Sequence, residues 1–131
     1  MSPSDFKLEK GKALVIIGPR QSGKTLLAAA IAERHGTFEC INEAHFNSHF
    51  GLGGTLSKEP QTVIVDNMNG STSLTYLREL IRSDKIVIHR KGEKDREVAA
   101  PNFIFVSGNA NPIPFEFADR RYSTVLDTGD L

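Results

Sequence analysis

A single cysteine, Cys40, among 131 residues excludes an internal disulfide. Net charge is lacking too: sixteen basic residues balance sixteen acidic ones. Any polyanionic partner must therefore be met by a local patch and not by the field of the whole molecule. No apolar run approaches the ~20 residues of a membrane span, and no signal-like leader opens the chain. The expectation is an intracellular protein with no membrane partner. Internal repeats and linkers are lacking as well, so one domain over residues 1–131 is expected. A content of 39% hydrophobic and 24% charged residues is ordinary for a globular chain with a real core.

What the sequence does contain is the octapeptide Gly18-Pro19-Arg20-Gln21-Ser22-Gly23-Lys24-Thr25, which satisfies the phosphate-cradling P-loop pattern. The apolar run Ala13-Leu14-Val15-Ile16-Ile17 precedes it and Leu26 to Ala32 follows, so the loop lies between an expected strand and helix. Gly18 and Gly23 let the backbone turn tightly and bring amide N–H groups toward an anion at the positive end of the helix. Lys24 can reach β- and γ-phosphate oxygens, and the Thr25 hydroxyl can join the octahedral shell of Mg²⁺.

Hydrophobic periodicity predicts alternating strands and helices. Strands are expected at 12–17, 37–41, 62–65, 102–106 and 122–126, and helices at 24–35 and 72–83. Residues 47–60, broken by Gly51, Gly53, Gly54 and Pro60, read as loop or short helix. Residues 85–89 and 96–99 bracket a charged segment, which predicts a β-hairpin. The order predicts an α/β fold, a three-layer, mainly parallel sheet flanked by helices, with the hairpin inserted before the 102–106 strand.

Three further landmarks carry chemistry. Asp66 ends the run Val63-Ile64-Val65, where a carboxylate can hold the Mg²⁺ shell or simply start a turn. Asn109 follows the 102–106 strand and can bond a γ-phosphate and a water, or belong to the turn that Asn111-Pro112 favours. Asp119-Arg120-Arg121-Tyr122 offers guanidinium groups as anion ligands or as a solvated turn. Two weaker constellations read as packing: His45 and His49 near Glu43 have no third histidine or cysteine to complete a zinc site, and Phe103, Phe105, Phe115 and Phe117 alternate as sheet core does. Residues 127–130 read as a frayed acidic end.

Taken in order, these parts resemble the motifs of superfamily 3 helicases, a branch of the AAA+ (ASCE-type) P-loop ATPases that includes viral large T antigens and phage or plasmid primase–helicases. The resemblance spans residues 12–128. It implies ATP and Mg²⁺ as cofactors, Lys24 and Thr25 as the Walker A pair, Asp66 as the Walker B acid, and Asn109 as the γ-phosphate sensor. Arg121 would be an arginine finger acting in trans on a neighbouring subunit, which implies a ring, by the family's habit a hexamer. The hairpin would face the pore, with His89, Arg90, Lys91 and Lys94 holding single-stranded DNA; the alternative is a charged turn that keeps the hairpin soluble. A replication role, with other replication proteins as further partners, follows from the same resemblance, as does a cytoplasmic location, or a nuclear one for a eukaryotic virus.

Two departures qualify what is implied. Asn67 stands where many AAA+ proteins carry a second acid, and an amide cannot accept a proton. Either Asp66 serves both tasks, or Glu43 or Glu79 substitutes, or the domain turns nucleotide over slowly. The helical regions that flank these cores are also lacking, which reads as a fragment or as a minimal protein that takes them from a partner. A nucleotide-gated DNA-binding module and a small-molecule kinase are the competing readings.

Overall fold

Alternation inside the apolar runs builds a core on both sides of one sheet. The computed structural model describes residues 6–19, 22–47, 51–68, 72, 74–89, 92–107 and 123–128. Five strands, β1 (Ala13–Ile17), β2 (Phe38–Asn42), β3 (Thr62–Met68), β6 (Asn102–Ser107) and β7 (Ser123–Asp127), form a sheet in the order β2-β3-β6-β1-β7, and every pairing in it is parallel. Between β3 and β6 lie helix α4 (Leu74–Arg82) and a separate antiparallel hairpin of β4 (Lys85–Ile88) and β5 (Arg96–Ala99). Helix α1 (Lys24–Glu33) follows β1, and two short helices, α2 (Glu43–Asn47) and α3 (Gly51–Leu56), follow β2.

Side chains two apart in a strand share a face. Leu14, Ile16, Ile64, Ile104 and Val106 meet Ala28, Ile31 and Ala32 of α1 on one face. Ala13, Val15, Val63, Val65, Phe103 and Phe105 meet α2, α3, α4 and the hairpin on the other, through Phe46, Leu52, Leu56, Leu77, Leu80, Ile81, Ile88 and Val98. Connection direction explains the split. The chain crosses the sheet one way from β1 to β2 and the opposite way from β2 to β3 and from β3 to β6. Right-handed crossovers then put α1 on one face and the other helices on the second. The expected three-layer α/β architecture, with its inserted hairpin, is the one observed.

Phe46 anchors the second face. Its ring lies edge-on to Phe103 and Phe105, at centroid separations of 6.5 and 6.0 Å, and tilts against Tyr76 at 5.6 Å. Phe103 and Phe105 stack at 5.8 Å, as expected for alternate residues of one strand. Phe115 and Phe117 lie outside the described residues.

Several boundaries differ from those read in the sequence. α1 stops at Glu33 because Gly36 takes φ 118°, a left-handed backbone that no helix continues, and Leu26 in its first turn is 78% exposed. The Asn42 side chain caps α2 by accepting the His45 amide at 2.7 Å, so helix begins before the glycine-rich stretch. β2 and β7 each lie one residue later than expected, at 38–42 and 123–127, because parallel pairing with β3 and β1 sets their limits. β3 does not end at its acid but runs on to Met68.

Candidate functional site

Parallel pairing delivers the C-terminal ends of β1, β3 and β6 to one edge of the sheet. The chain leaves β1 toward one side and leaves β6 toward the other, so this edge is the topological switch point where open α/β sheets bind ligands. The P-loop begins there. Gly18 has φ 143°, and Gly23, the N-cap residue of α1, has φ 78° in the left-handed region with no side-chain cap on the first turn. Lys24 is 92% buried against its own loop, its Nζ donating to the Gly18 carbonyl at 2.8 Å and the Pro19 carbonyl at 3.3 Å. Its charge is thus held inside the turn that Gly18 and Gly23 create.

Asp66 does not sit on a strand next to β1, since β6 separates β3 from β1. It reaches the P-loop nonetheless: Thr25 Oγ1 donates to Asp66 Oδ2 at 3.0 Å. A bulge supplies the reach. Val65 pairs with Phe105 and Met68 with Ser107, so Asp66 and Asn67 together oppose Val106 alone. Asn67 adopts φ 55°, and its amide donates to Asp66 Oδ1 at 2.8 Å, leaving the other carboxylate oxygen for Thr25. Asparagine tolerates this left-handed conformation better than most residues. The position of the missing second acid is therefore one whose backbone disfavours glutamate and most other side chains.

Glu43 and Glu79, the alternative acids, differ in setting. Glu43 is 4% exposed and accepts the Thr72 hydroxyl at 2.7 Å, while Asn47 Nδ2 donates to the same hydroxyl at 3.0 Å. This carboxylate belongs to a buried polar cluster that ties α2 to the segment before α4. Glu79 lies on the exposed side of α4. Burial pushes the Tyr76 hydroxyl above its ordinary pKa. Burial, and to a lesser degree the Asp66 charge, does the same for the Cys40 thiol on β2.

A further contact had no local signal in the sequence. Thr128, directly after β7, donates its hydroxyl to the Ile17 carbonyl at 3.1 Å and lies 2.6 Å from Ser22 Oγ. The residues read as a frayed end thus include one bound to the P-loop. Only the parallel pairing of β7 with β1, over Ala13↔Ser123 to Ile17↔Asp127, brings it there.

The hairpin is fastened at the end nearest its turn. His89 Nδ1 and Asp95 Oδ1 are 2.8 Å apart and close it beyond the last strand pair, while Arg96 donates to the Ser57 carbonyl at 3.0 Å. Gly53 of α3 lets the His89 carbonyl approach, since a Cβ there would lie 3.0 Å from it. Lys94 is exposed. Arg20 and Gln21 of the P-loop, Arg90 and Lys91 of the hairpin tip, Asn109 and Arg121 lie outside the described residues. Among the described residues no cluster of three metal-ligating side chains occurs, and no helix is long and apolar enough to cross a membrane.

Thr25 and Asp66 present hard oxygen donors side by side, the donor chemistry that Mg²⁺ prefers. Together with Lys24 they form a cationic turn beside a carboxylate, an arrangement suited to a polyphosphate and its metal.

No family model matches the chain, and no curated protein matches it. Solved structures do. The apo A form of the NrS-1 C-terminal region is 26% identical over 91% of this chain and 29% of its own, with a TM-score of 0.67. A second apo structure of that region gives a TM-score of 0.70 at 24% identity, over 90% of this chain and 30% of its own. JCV helicase, solved with a thiazolopyridine acetamide bound, gives 0.53 at 20% identity, over 91% of this chain and 37% of its own. The chain shares its fold with these structures, one of them a helicase. The resemblance to superfamily 3 helicases drawn from the order of motifs thus holds in three dimensions, and the chain spans about a third of the length of these structures.

Proposed function

We propose that the chain is the ATP-binding and ATP-hydrolysing core of a helicase-like motor acting on single-stranded DNA in viral, phage or plasmid-type replication, working as a ring with its arginine finger in trans. The observation that carries this reading is the Thr25–Asp66 hydrogen bond, which joins the P-loop helix to the bulged end of β3 on a helicase-type fold.

In this reading Lys24 and the amides at the start of α1 hold the β- and γ-phosphates, and Thr25 and Asp66 hold Mg²⁺. When bound, the metal neutralises charge developing on the phosphate oxygens. Asp66 orients Thr25, and the bulge at Asn67 orients Asp66. Asn109 senses the γ-phosphate, Arg121 completes the site of the next subunit, and His89, Arg90, Lys91 and Lys94 contact the DNA backbone. The domain covers residues 1–131 and works inside the cell. The exposed Asn67, with no proton-accepting group at its tip, favours a second reading: a nucleotide-gated DNA-binding module with little turnover.

ATP turnover across a protein dilution series, with and without single-stranded DNA, separates the two. The motor reading expects DNA-stimulated hydrolysis that rises more steeply than protein concentration. It also expects Arg121→Ala to bind ATP without hydrolysing it and to regain turnover when mixed with Lys24→Ala subunits. Lys91→Ala/Lys94→Ala should lose DNA affinity and flatten its salt dependence. Tight ATP binding with no DNA-stimulated turnover favours the gate, and turnover that responds to a small acceptor instead of DNA would point to a kinase.

A further inference from the structure

The P-loop is held from two sides. On the inside, Lys24 Nζ donates to the Gly18 and Pro19 carbonyls. On the outside stands Thr128, directly after β7, which contacts Ser22 within the loop and the Ile17 carbonyl just before it. The direction of its bonds follows from donor inventory. A threonine hydroxyl has one proton, and the Ile17 carbonyl can only accept. The Thr128 proton therefore goes to Ile17, and Ser22 Oγ must donate to Thr128 Oγ1 at 2.6 Å. A relay Ser22→Thr128→Ile17 ties the loop's late turn to the end of β1.

Gly18 adds an independent observation. A Cβ built there would overlap the Thr128 hydroxyl, so the threonine occupies space that only glycine at this position leaves open. Thr128 is itself held in place, because the five residues before it pair in register with β1, ending at Ile17↔Asp127. Its hydroxyl is presented by the sheet and not by a free tail.

We infer that Thr128 is a positioning residue for the P-loop, its hydroxyl holding Ser22 against Ile17 and so pre-shaping the loop for phosphate. This rests on the ATP-binding reading above. The physical effect is preorganisation: a loop already held in its binding shape loses less conformational freedom when the ligand arrives. Thr128 touches no reacting group, so its contribution falls on nucleotide affinity and KM and leaves kcat nearly unchanged.

The test uses the full chain, with Mg·ATP titrated by calorimetry and amide hydrogen exchange followed by mass spectrometry. Thr128→Val keeps the shape and removes the hydroxyl. It should weaken Mg·ATP binding and raise KM by roughly 3- to 10-fold, with faster exchange confined to peptides covering 17–27 and a melting temperature within about 4 °C of wild type. Thr128→Ser should restore affinity to within about twofold, since the hydroxyl is what matters. Adding Ser22→Ala to Thr128→Val should cost no more than Thr128→Val alone, because both break one relay. Unchanged Mg·ATP affinity in Thr128→Val, or a loss that Thr128→Ser does not repair, overturns the assignment. Lys24→Ala separates this outcome from failure of the underlying reading: if the wild type binds Mg·ATP and Lys24→Ala does not, the phosphate site stands whatever Thr128 does. Equal binding by wild type and Lys24→Ala would remove the phosphate site, and the proposal with it.

Discussion

Thr25 Oγ1 and Asp66 Oδ2 lie 3.0 Å apart although 41 positions separate them in the chain. The contact crosses an intervening strand, and it depends on the bulge that re-aims Asp66 away from the regular pleat. It makes Asp66 the hinge of the metal prediction. Asp66→Asn keeps the size of the side chain and removes its charge. The Mg²⁺ concentration needed for half-maximal turnover should rise roughly 10- to 100-fold, while metal-free nucleotide binding changes little. Phosphate release across a Mg²⁺ titration measures this, and an unshifted titration would remove Asp66 from the metal site.

Lys24 is nearly buried, and its partners are two loop carbonyls. Lys24→Ala deletes the positive charge at the centre of the turn and leaves those carbonyls without their donor. ATP affinity should fall at least ~30-fold, the loss typical of a desolvated charged contact. Calorimetric titration of wild type and variant reads it directly.

Asn67 stands at φ 55° in the bulge, so its substitutions should follow backbone conformation and not side-chain acidity. Asn67→Gly is expected to be neutral, whereas Asn67→Val should cost about 1–2 kcal/mol in urea unfolding, the penalty of a left-handed L-residue. Asn67→Glu should not raise ATP turnover, because the acid either strains the same backbone or shifts the bulge that aims Asp66. Faster turnover in Asn67→Glu would show that chemistry, not conformation, limits this position.

Cys40 lies on the edge strand, and the partial burial of its sulfur, with the Asp66 charge as the smaller cause, holds its thiol above the usual range. The thiolate is the reactive form, so iodoacetamide should label Cys40 more slowly at pH 8 than it labels a free cysteine. Asp66→Asn should speed that labelling modestly, since it removes the smaller of the two causes. Equal rates in the two proteins would show that burial alone controls the thiol.

Phe46 joins α2 to β6 through Phe103 and Phe105, and to α4 through Tyr76. Phe46→Ala should destabilise the protein by about 3–5 kcal/mol, the range for a large buried aromatic. A fall in urea midpoint at constant slope would register it.

The local elements were legible because their signals are short-range. Strand, P-loop and helix around Lys24 follow from one continuous apolar–glycine–apolar pattern, and the charged break between residues 89 and 96 marked a hairpin that the structure places at Lys85–Ile88 and Arg96–Ala99. The glycine-rich stretch was harder. Gly51 to Leu56 forms a helix that glycine disfavours locally, held by Leu52 and Leu56 in the core and by the close approach of the hairpin at Gly53. Glu43, a candidate substitute for the second acid in the sequence, is buried against Thr72, a partner 29 positions away.

The sequence by itself determined the phosphate-loop motif, the alternation that builds a parallel sheet, and the order of parts that resembles helicase cores. Those features need only neighbouring residues, whose propensities and periodicity act within a few positions. Tertiary structure alone decided that β6 lies between the P-loop strand and the acid strand, that a bulge turns Asp66 toward Thr25, and that Thr128 reaches a carbonyl 111 positions earlier. Each of these depends on which strands pair and in what register, a choice made by the packing of the whole core and carried by no single segment.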